Sequence, residues 1–427
     1  MHTRLAWRLA EVVVGALLAS GRRTAAAWWR AAGVGEDFRS YYYFLDSLGR
    51  KAGEVAAVLL RIVLDRIEAR DRLIFALDDT PTQRYGPKVQ GAGIHHNPTP
   101  GPAGSKFLYG HSWVTLSRVA RHARCGAIGL PLLGMRYVRT TDVPGLPAGA
   151  GVAFRTKLEM AAEAVRWLGS QLPGDAVRPW VVVDGGYTKR EFLKPAKAAG
   201  FVVVARLRKD AALCGLPPVL PPGAKRGPGR PPTYGKDHLS LAKRAGQGRG
   251  WKELTVEATT GRPVVKRYKS FLATWRPAGG VVRVVILKEA DGSWRAFLCT
   301  DPEAAVEAIV QAIHDRWAIE QNYHDLKEVE GIGQVQLRRV WSNIGALNLS
   351  LWVHTLVEVW AWDRPEASLS DRSDRPWDDA SRRPSHADRC RALRRAMLED
   401  GYQQLDVPGP WSEKIRRMLA AVIKLAA

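Results

Sequence analysis

Cysteine is scarce in this 427-residue chain: Cys125, Cys214, Cys299 and Cys390 are scattered without C-x2-C spacing. The spacing therefore suggests neither a disulfide framework nor a zinc site and fits a reducing cytoplasm. Uncharged apolar runs are short, and none reaches the roughly 18–20 residues that a membrane span needs. The opening MHTRLAWRLAEVVVGALLASG imitates a secretory signal, but Glu11 interrupts it and it reads as a helix. Acidic residues are in deficit, 42 against 64 Lys and Arg, which leaves a net charge of +22. The natural partner of such a surface is a polyanion, nucleic acid first. With 46% hydrophobic residues the chain can still bury a sizeable core, in two or three domains.

What the chain does contain is a run, Ile313 to Lys327 (IHDRWAIEQNYHDLK), with Arg316, Glu320 and Lys327 at i, i+4 and i+11. At 100° per residue these lie at 0°, about 40° and about 20°, so one helix face carries a carboxylate between two cations. Tyr323, at about −20°, shares that face and is a candidate for positioning a ligand. A Glu that can hold a divalent metal beside cations that can clamp phosphate oxygens suits phosphodiester chemistry. An ordinary surface i,i+4 pair, with Lys327 incidental, would give the same pattern. Trp317 is about 100° off this face and is expected to pack the helix against a sheet.

Two aspartates upstream strengthen the first alternative. Leu73 to Leu77 is continuously apolar and meets Asp78-Asp79-Thr80, and Trp180 to Val183 meets Asp184-Gly185-Gly186. Both segments read as buried strands that end in a carboxylate. Sites in open α/β sheets lie beyond such strand ends, although an Asp there can equally start a turn or cap a helix.

Asp78-x-Thr80, the segment VVVDGGYTKREFLKPAKAAGFVVVARLRKD around Asp184, and Arg316-x3-Glu320-x6-Lys327 together resemble the cut-and-paste DDE transposases of bacterial insertion sequences. The resemblance covers roughly residues 70 to 350. The subgroup with this last signature usually has a Tyr three residues before the Arg; here that position is Ile313. The resemblance implies an α/β fold with a ribonuclease-H-like core and mixed sheet, interrupted by a β-rich insertion before the catalytic Glu. Asp78, Asp184 and Glu320 would be both the catalytic residues and the metal ligands. An all-oxygen set of this kind suits two Mg²⁺ ions, or Mn²⁺ as substitute. Arg316, Lys327 and Tyr323 would contact DNA. Double-stranded DNA, as element ends and as target, is the implied partner, with a homodimer on DNA, no membrane, and a nucleoid-associated cytoplasmic location. A DNA-binding protein that no longer turns over, or a general nuclease on the same scaffold, stays open.

Along the chain, residues 1–68 read as a helical and DNA-binding domain, either helix-turn-helix-like or a small bundle with Trp and Tyr as core. Residues 69–210 read as the first part of the catalytic core, with strands at Phe107–Leu116 and Ala127–Tyr137, a helix at Phe154–Leu172, and a strand-helix-strand unit around Asp184. The adjacent His95-His96 is poor chelating geometry. Residues 211–300 contain a Pro/Gly-rich basic stretch and four expected strands, at Glu253–Ala258, Val264–Ala273, Val281–Leu287 and Arg295–Cys299. Arg226-Gly-Pro-Gly-Arg230 is similar to an AT-hook, so Lys225, Arg226 and Arg230 are DNA candidates, although a plain basic linker is equally open. Trp275 and Trp294 are either core or base-stacking residues. Residues 301–360 carry the Glu320 helix. Residues 361–427 read as a polar linker followed by helices near Arg391–Leu398 and Ser412–Ala426.

Overall fold

The computed structural model describes residues 3–68, 72–98, 100, 104–174, 177–218, 229–373, 375, 377–379, 381–403 and 422–423. Four helices open the chain: α1 (Thr3–Leu18), α2 (Ala25–Ala31), α3 (Phe38–Arg50) and α4 (Ala52–Arg66). Then come β1 (Ile74–Gln83), β2 (Gly93–His96), β3 (Phe107–His122), β4 (Gly126–Tyr137), α5 (Lys157–Gln171), β5 (Trp180–Val183), α6 (Arg190–Ala198) and β6 (Val202–Leu207). Beyond these lie β7 (Leu213–Cys214), β8 (His238–Leu239), α7 (Leu241–Gly246), β9 (Lys252–Glu257), β10 (Pro263–Trp275), β11 (Gly280–Lys288) and β12 (Trp294–Cys299). The remaining described helices are α8 (Val306–Asp315), α9 (Ala318–Glu328), α10 (Val340–Ala361), α11 (Glu366–Leu369) and α12 (His386–Gln403).

The fold is α/β with a mixed sheet. β4, β3 and β1 are antiparallel neighbours, and β1, β5 and β6 run parallel, in the order β4-β3-β1-β5-β6. This arrangement is consistent with a ribonuclease-H-like core. The meander β10-β11-β12 attaches edge-on to β6 through β12. The expected β-rich segment thus interrupts the chain but not the sheet, which among the described residues runs on as a single sheet of 12 strands.

The period of two along the strands decides which helices cover which face. Phe75, Leu77, Val181, Val183 and Val203 share one core with Met160 and Val165 of α5 and Phe192 of α6. Trp180, Val182, Val202 and Val204 share another with Ile309, Val310 and Ile313 of α8, while Ala76 packs with Ala318 and Ile319 of α9. Helices therefore cover both faces. α5 starts cleanly because Thr156 and Glu159 form a reciprocal capping box.

α10 is apolar on nearly every side and mostly buried. By length and composition it is the one described helix that could cross a membrane, yet it lies inside the protein. Its polar side chains complete β4, which pairs with β3 on one side. The β3–β4 register shifts between Leu116 and Ser117, leaving Leu132 without an opposite residue. Trp352 Nε1 donates to the Leu132 carbonyl at 2.8 Å and the Thr355 hydroxyl to the Pro131 carbonyl at 2.5 Å. Asn348 accepts from Gly134 N at 2.8 Å and donates to Gly134 O at 2.9 Å. The other side of α10 meets α3 backbone to backbone: a Cβ at Gly345 would lie 2.1 Å from Leu45 O, and one at Gly49 2.0 Å from Trp341 O.

The residues expected to form a polar linker after 361 are instead tied down where described. Arg382 bridges Asp378 and Asp388, each at 2.7 Å, and Arg383 donates to the Cys125 carbonyl. The segment carries charges of both signs at close spacing, so it pairs internally rather than staying solvated. The expected helix at 412–426 lies outside the described residues except for 422–423.

This packing makes two outcomes expected. Gly345→Ala must push α3 away from α10 and should destabilise the fold by about 1–3 kcal/mol, read by chemical denaturation; an unchanged midpoint would refute the backbone contact. The second concerns His111, fully buried with neither ring nitrogen hydrogen-bonded, and the half-buried His95. Burial, with Arg136 and Arg84 near His111 and Arg139 near His95, holds His111 well below its ordinary pKa and His95 at about 4. Because the folded values lie below the unfolded one, the unfolded chain binds more protons in acid. The stabilisation from His95 is complete above pH 6.5 and is lost as the pH falls through about 4, and that from His111 is lost in the same direction. His95→Gln should flatten the stability profile in that window by about 1 kcal/mol, allowing for partial exposure. A profile identical to wild type would rule this out.

Candidate active site

Asp78, Asp184 and Glu320 line one cleft of ≈ 960 Å³. Asp78 continues the series Ile74, Ala76, and Asp184 the series Trp180, Val182, so both carboxylates point to the face covered by α8 and α9. The last paired residues of β1 and β5 are Leu77 and Val183, so the two aspartates stand at matched positions just past the parallel pairing. β1 itself does not end at Asp78, contrary to the sequence expectation. It continues to Gln83 because β3 keeps pairing with it, Asp78 opposite Thr115. Only the β5 side opens.

Asp79 points the other way. It accepts from Lys157 Nζ and, at 3.1 Å, from the Tyr187 hydroxyl, and it does not line the cleft. Burial raises the Asp78 carboxyl to about 7 against the opposing Asp79 N–H and Arg316, and the charges of Asp79 and Asp184 add to the rise. Arg316 bridges the carboxylates, with Nη1 at 3.3 Å from Asp78 Oδ2 and Nη2 at 2.9 Å from Glu320 Oε1. Three converging carboxylates that have drawn a guanidinium between two of them are short of positive charge. With oxygen as the only donor type among them, they fit hard divalent cations.

The single helix expected from Ile313 to Lys327 is two helices. α8 stops at Asp315 and α9 starts at Ala318, with Trp317 N bonded to His314 O and Glu320 N to Trp317 O, i→i+3 bonds that tighten the joint. At about 120° per residue in a 3₁₀ turn, such a joint rotates the downstream helix by some tens of degrees. Lys327 accordingly does not line the cleft and is half-buried on α9, where burial lowers its pKa. Tyr323 is also outside the cleft lining, its hydroxyl 2.7 Å from Thr115 Oγ1 behind Asp78. Trp317, expected to pack against the sheet, is 46% exposed and lines the cleft beside Arg316. The same joint turned it outward.

Sequence reasoning missed the cations Arg206, Lys266, Arg295 and Arg383, which line the cleft from four separate stretches. Their only signal was a place on strands and a loop that nothing local ties to Glu320. Lys266 and Arg295 both face Glu289, at 3.2 and 3.5 Å. Trp275 is buried, whereas Trp294 is partly exposed with Lys209 Nζ 4.9 Å from its ring centre. Lys225 and Arg226 lie outside the described residues, and Arg230 is exposed.

A family model described as DDE superfamily endonuclease matches residues 1–276, well over half of the chain, and the chain belongs to that family. The matched span contains Asp78 and Asp184, while Glu320 lies beyond it. No curated protein matches this chain. Among solved structures it is similar to the piggyBac transposase of a cryo-EM synaptic complex with hairpin DNA, at 11% identity and a TM-score of 0.37, over 82% of this chain and 57% of that one. The chain therefore spans little more than half the length of that transposase.

The opposite orientations of the two adjacent aspartates predict separable defects. Asp79→Ala strands Lys157 and the Tyr187 hydroxyl and should cost about 1–3 kcal/mol of stability. Asp78→Asn should not share that loss. Equal thermal destabilisation by both substitutions would contradict the two-sided geometry.

Proposed function

We propose that this DDE endonuclease is a DNA transposase of the cut-and-paste, insertion-sequence type, acting on the ends of a mobile element and joining their 3′-hydroxyls to target DNA. The observation that carries the reading is the alignment of Asp78 and Asp184 past the parallel pairing, on the sheet face where α9 presents Glu320 to the same cleft. Asp78, Asp184 and Glu320 would hold Mg²⁺ or Mn²⁺, and two such ions supply activation of a water or 3′-hydroxyl and stabilisation of the departing oxygen.

The chain's own side chains do the rest. Arg316 bridges Asp78 and Glu320, and with those carboxylates committed to metal its planar fork would be available to hold the scissile phosphate. Arg206, Lys266, Arg295 and Arg383 give the cleft a cationic lining for the DNA backbone. Trp317 offers an exposed ring on which an unpaired base can stack. Lys327 and the Lys225–Arg230 segment remain proposed DNA contacts, while Tyr323, proposed for the same role, would act indirectly by bracing through Thr115 the strand pair that carries Asp78. A homodimer that brings two ends together on DNA completes the proposal.

Cleavage and strand transfer on DNA carrying the element ends test it. Asp184→Asn and Glu320→Gln should each fall below about 1% of wild-type activity, because each removes a ligand oxygen with little change in volume, while DNA binding persists. Wild-type cleavage by either variant would remove that residue from the site. Binding without any metal-dependent cleavage by the wild type would favour a DNA-binding protein, and equal cleavage of scrambled ends a general nuclease.

A further inference from the structure

Behind the cleft, α10, α12 and the turn after α9 bring five metal-ligating side chains into the interior. His354 and Glu358 are one helical turn apart on α10, His386 and Cys390 one turn apart on α12, and Glu330 comes just after α9. All five are at most 6% exposed. His386 Nε2 is 3.1 Å from Glu330 Oε1, Cys390 Sγ is 3.4 Å from His386 Nε2, and Cys390 Sγ is 3.7 Å from Glu330 Oε1. Zinc bonds of about 2.0–2.3 Å in a tetrahedron put neighbouring ligand atoms about 3.3–3.6 Å apart. The observed sides of 3.1, 3.4 and 3.7 Å bracket that range, and a point roughly 2 Å from all three atoms exists at the triangle's centre.

We propose that Glu330, His386 Nε2 and Cys390 Sγ bind one zinc ion, at a site distinct from the cleft. The surroundings are those of a ligating histidine. His386 Nδ1 is 2.7 Å from Glu358 Oε1, and Glu358 is in turn paired with Arg389. A carboxylate on the far ring nitrogen fixes the tautomer that presents Nε2 to a metal. His354 stacks on His386 with ring centres 3.9 Å apart, and neither of its nitrogens has a hydrogen bond; Asp325 Oδ2 is 4.0 Å away. A buried imidazole with two idle nitrogens is the group that would hold a water on the fourth zinc position.

Charge and donor type agree with this assignment. On binding, the Cys390 thiol proton and the His386 Nε2 proton pass to solvent. The Glu330 carboxylate and the Cys390 thiolate then neutralise the dication, and Glu358 neutralises Arg389. A mixed nitrogen, oxygen and sulfur set selects zinc over the Mg²⁺ suited to the cleft carboxylates. An opening of ≈ 240 Å³ lined by His354, Glu358 and His386 gives the ion a way in. Gln321 and Arg383 line both this opening and the cleft, so the zinc would brace α12 and the Arg383 segment against the cleft's rim.

The test is metal content and cobalt spectroscopy on the full chain. Stripped protein, shown folded by circular dichroism, is loaded with Co²⁺ in excess Mg²⁺. The wild type should bind one cobalt with a thiolate-to-cobalt charge-transfer band, and zinc should displace it and raise the melting temperature. Cys390→Ser should lose the band, Cys125→Ser and Asp184→Asn should keep it, and Glu358→Gln should weaken affinity about 10–100-fold. A folded wild type without the band, or a band that survives Cys390→Ser, overturns the proposal. The wild-type spectrum needs no variant, so a misfolded variant does not shelter it. In the absence of metal binding the cluster is an ion-pair network with His386 between two carboxylates.

Discussion

The burial of α10 is the constraint on which the rest of this structure depends. A 22-residue helix, buried along most of its length, has to match polar groups on each side or leave them unpaired at a cost of about 1–3 kcal/mol each. Asn348, Trp352 and Thr355 meet that demand on one side by closing the bulged strand β4. On another side the lack of a Cβ at Gly345 lets α3 come into backbone contact. The N-terminal helices α1, α3 and α4, the sheet, α9 and α12 all touch this one helix. Whatever the opening helices do, they do it from a mount shared with the cleft.

The cleft depends on a simpler rule. Parallel pairing of β1 and β5 in register puts Asp78 and Asp184 side by side, and the alternation of strand side chains sends both to one face. The same alternation sends Asp79 to the opposite face, where Lys157 and Tyr187 receive it. Two neighbouring carboxylates of one sequence thus hold different roles, one structural and one exposed to the cleft, with no difference in composition to distinguish them. Without cations the site relies on Arg316 and on a partly protonated Asp78 to limit repulsion.

Most of what has a local period was legible in the sequence. The strands of β10, β11 and β12 fall within a few residues of their expected bounds, and the Asp78 and Asp184 segments are the adjacent parallel strands their apolar runs suggested. The joint at Arg316–Trp317 was not legible, because a helix pattern carries no mark of a few i→i+3 bonds imposed by packing on the sheet. That one joint misplaced both Trp317 and Lys327. The polar stretch after 361 was misread for a related reason: its pairing partners, from Asp388 to the Cys125 carbonyl, cannot be inferred from composition. Cys390 gave no spacing signal either, since its neighbours come from α10, α12 and the turn after α9, up to 60 positions away.

Arg383 also sets an order of events during synthesis. Its guanidinium reaches the carbonyls of Cys125 and, at 3.4 Å, Thr259, and it lines the same cleft as Asp78. A chain growing from its N-terminus has all three carboxylates outside the ribosome before this wall exists. At translation rates of about 5–20 residues per second, the stretch from Glu320 to Arg383 takes several seconds. During that interval the three carboxylates have been synthesised while α10 and the Arg383 wall are still to come, so the cleft's cationic rim is completed only once that stretch has emerged.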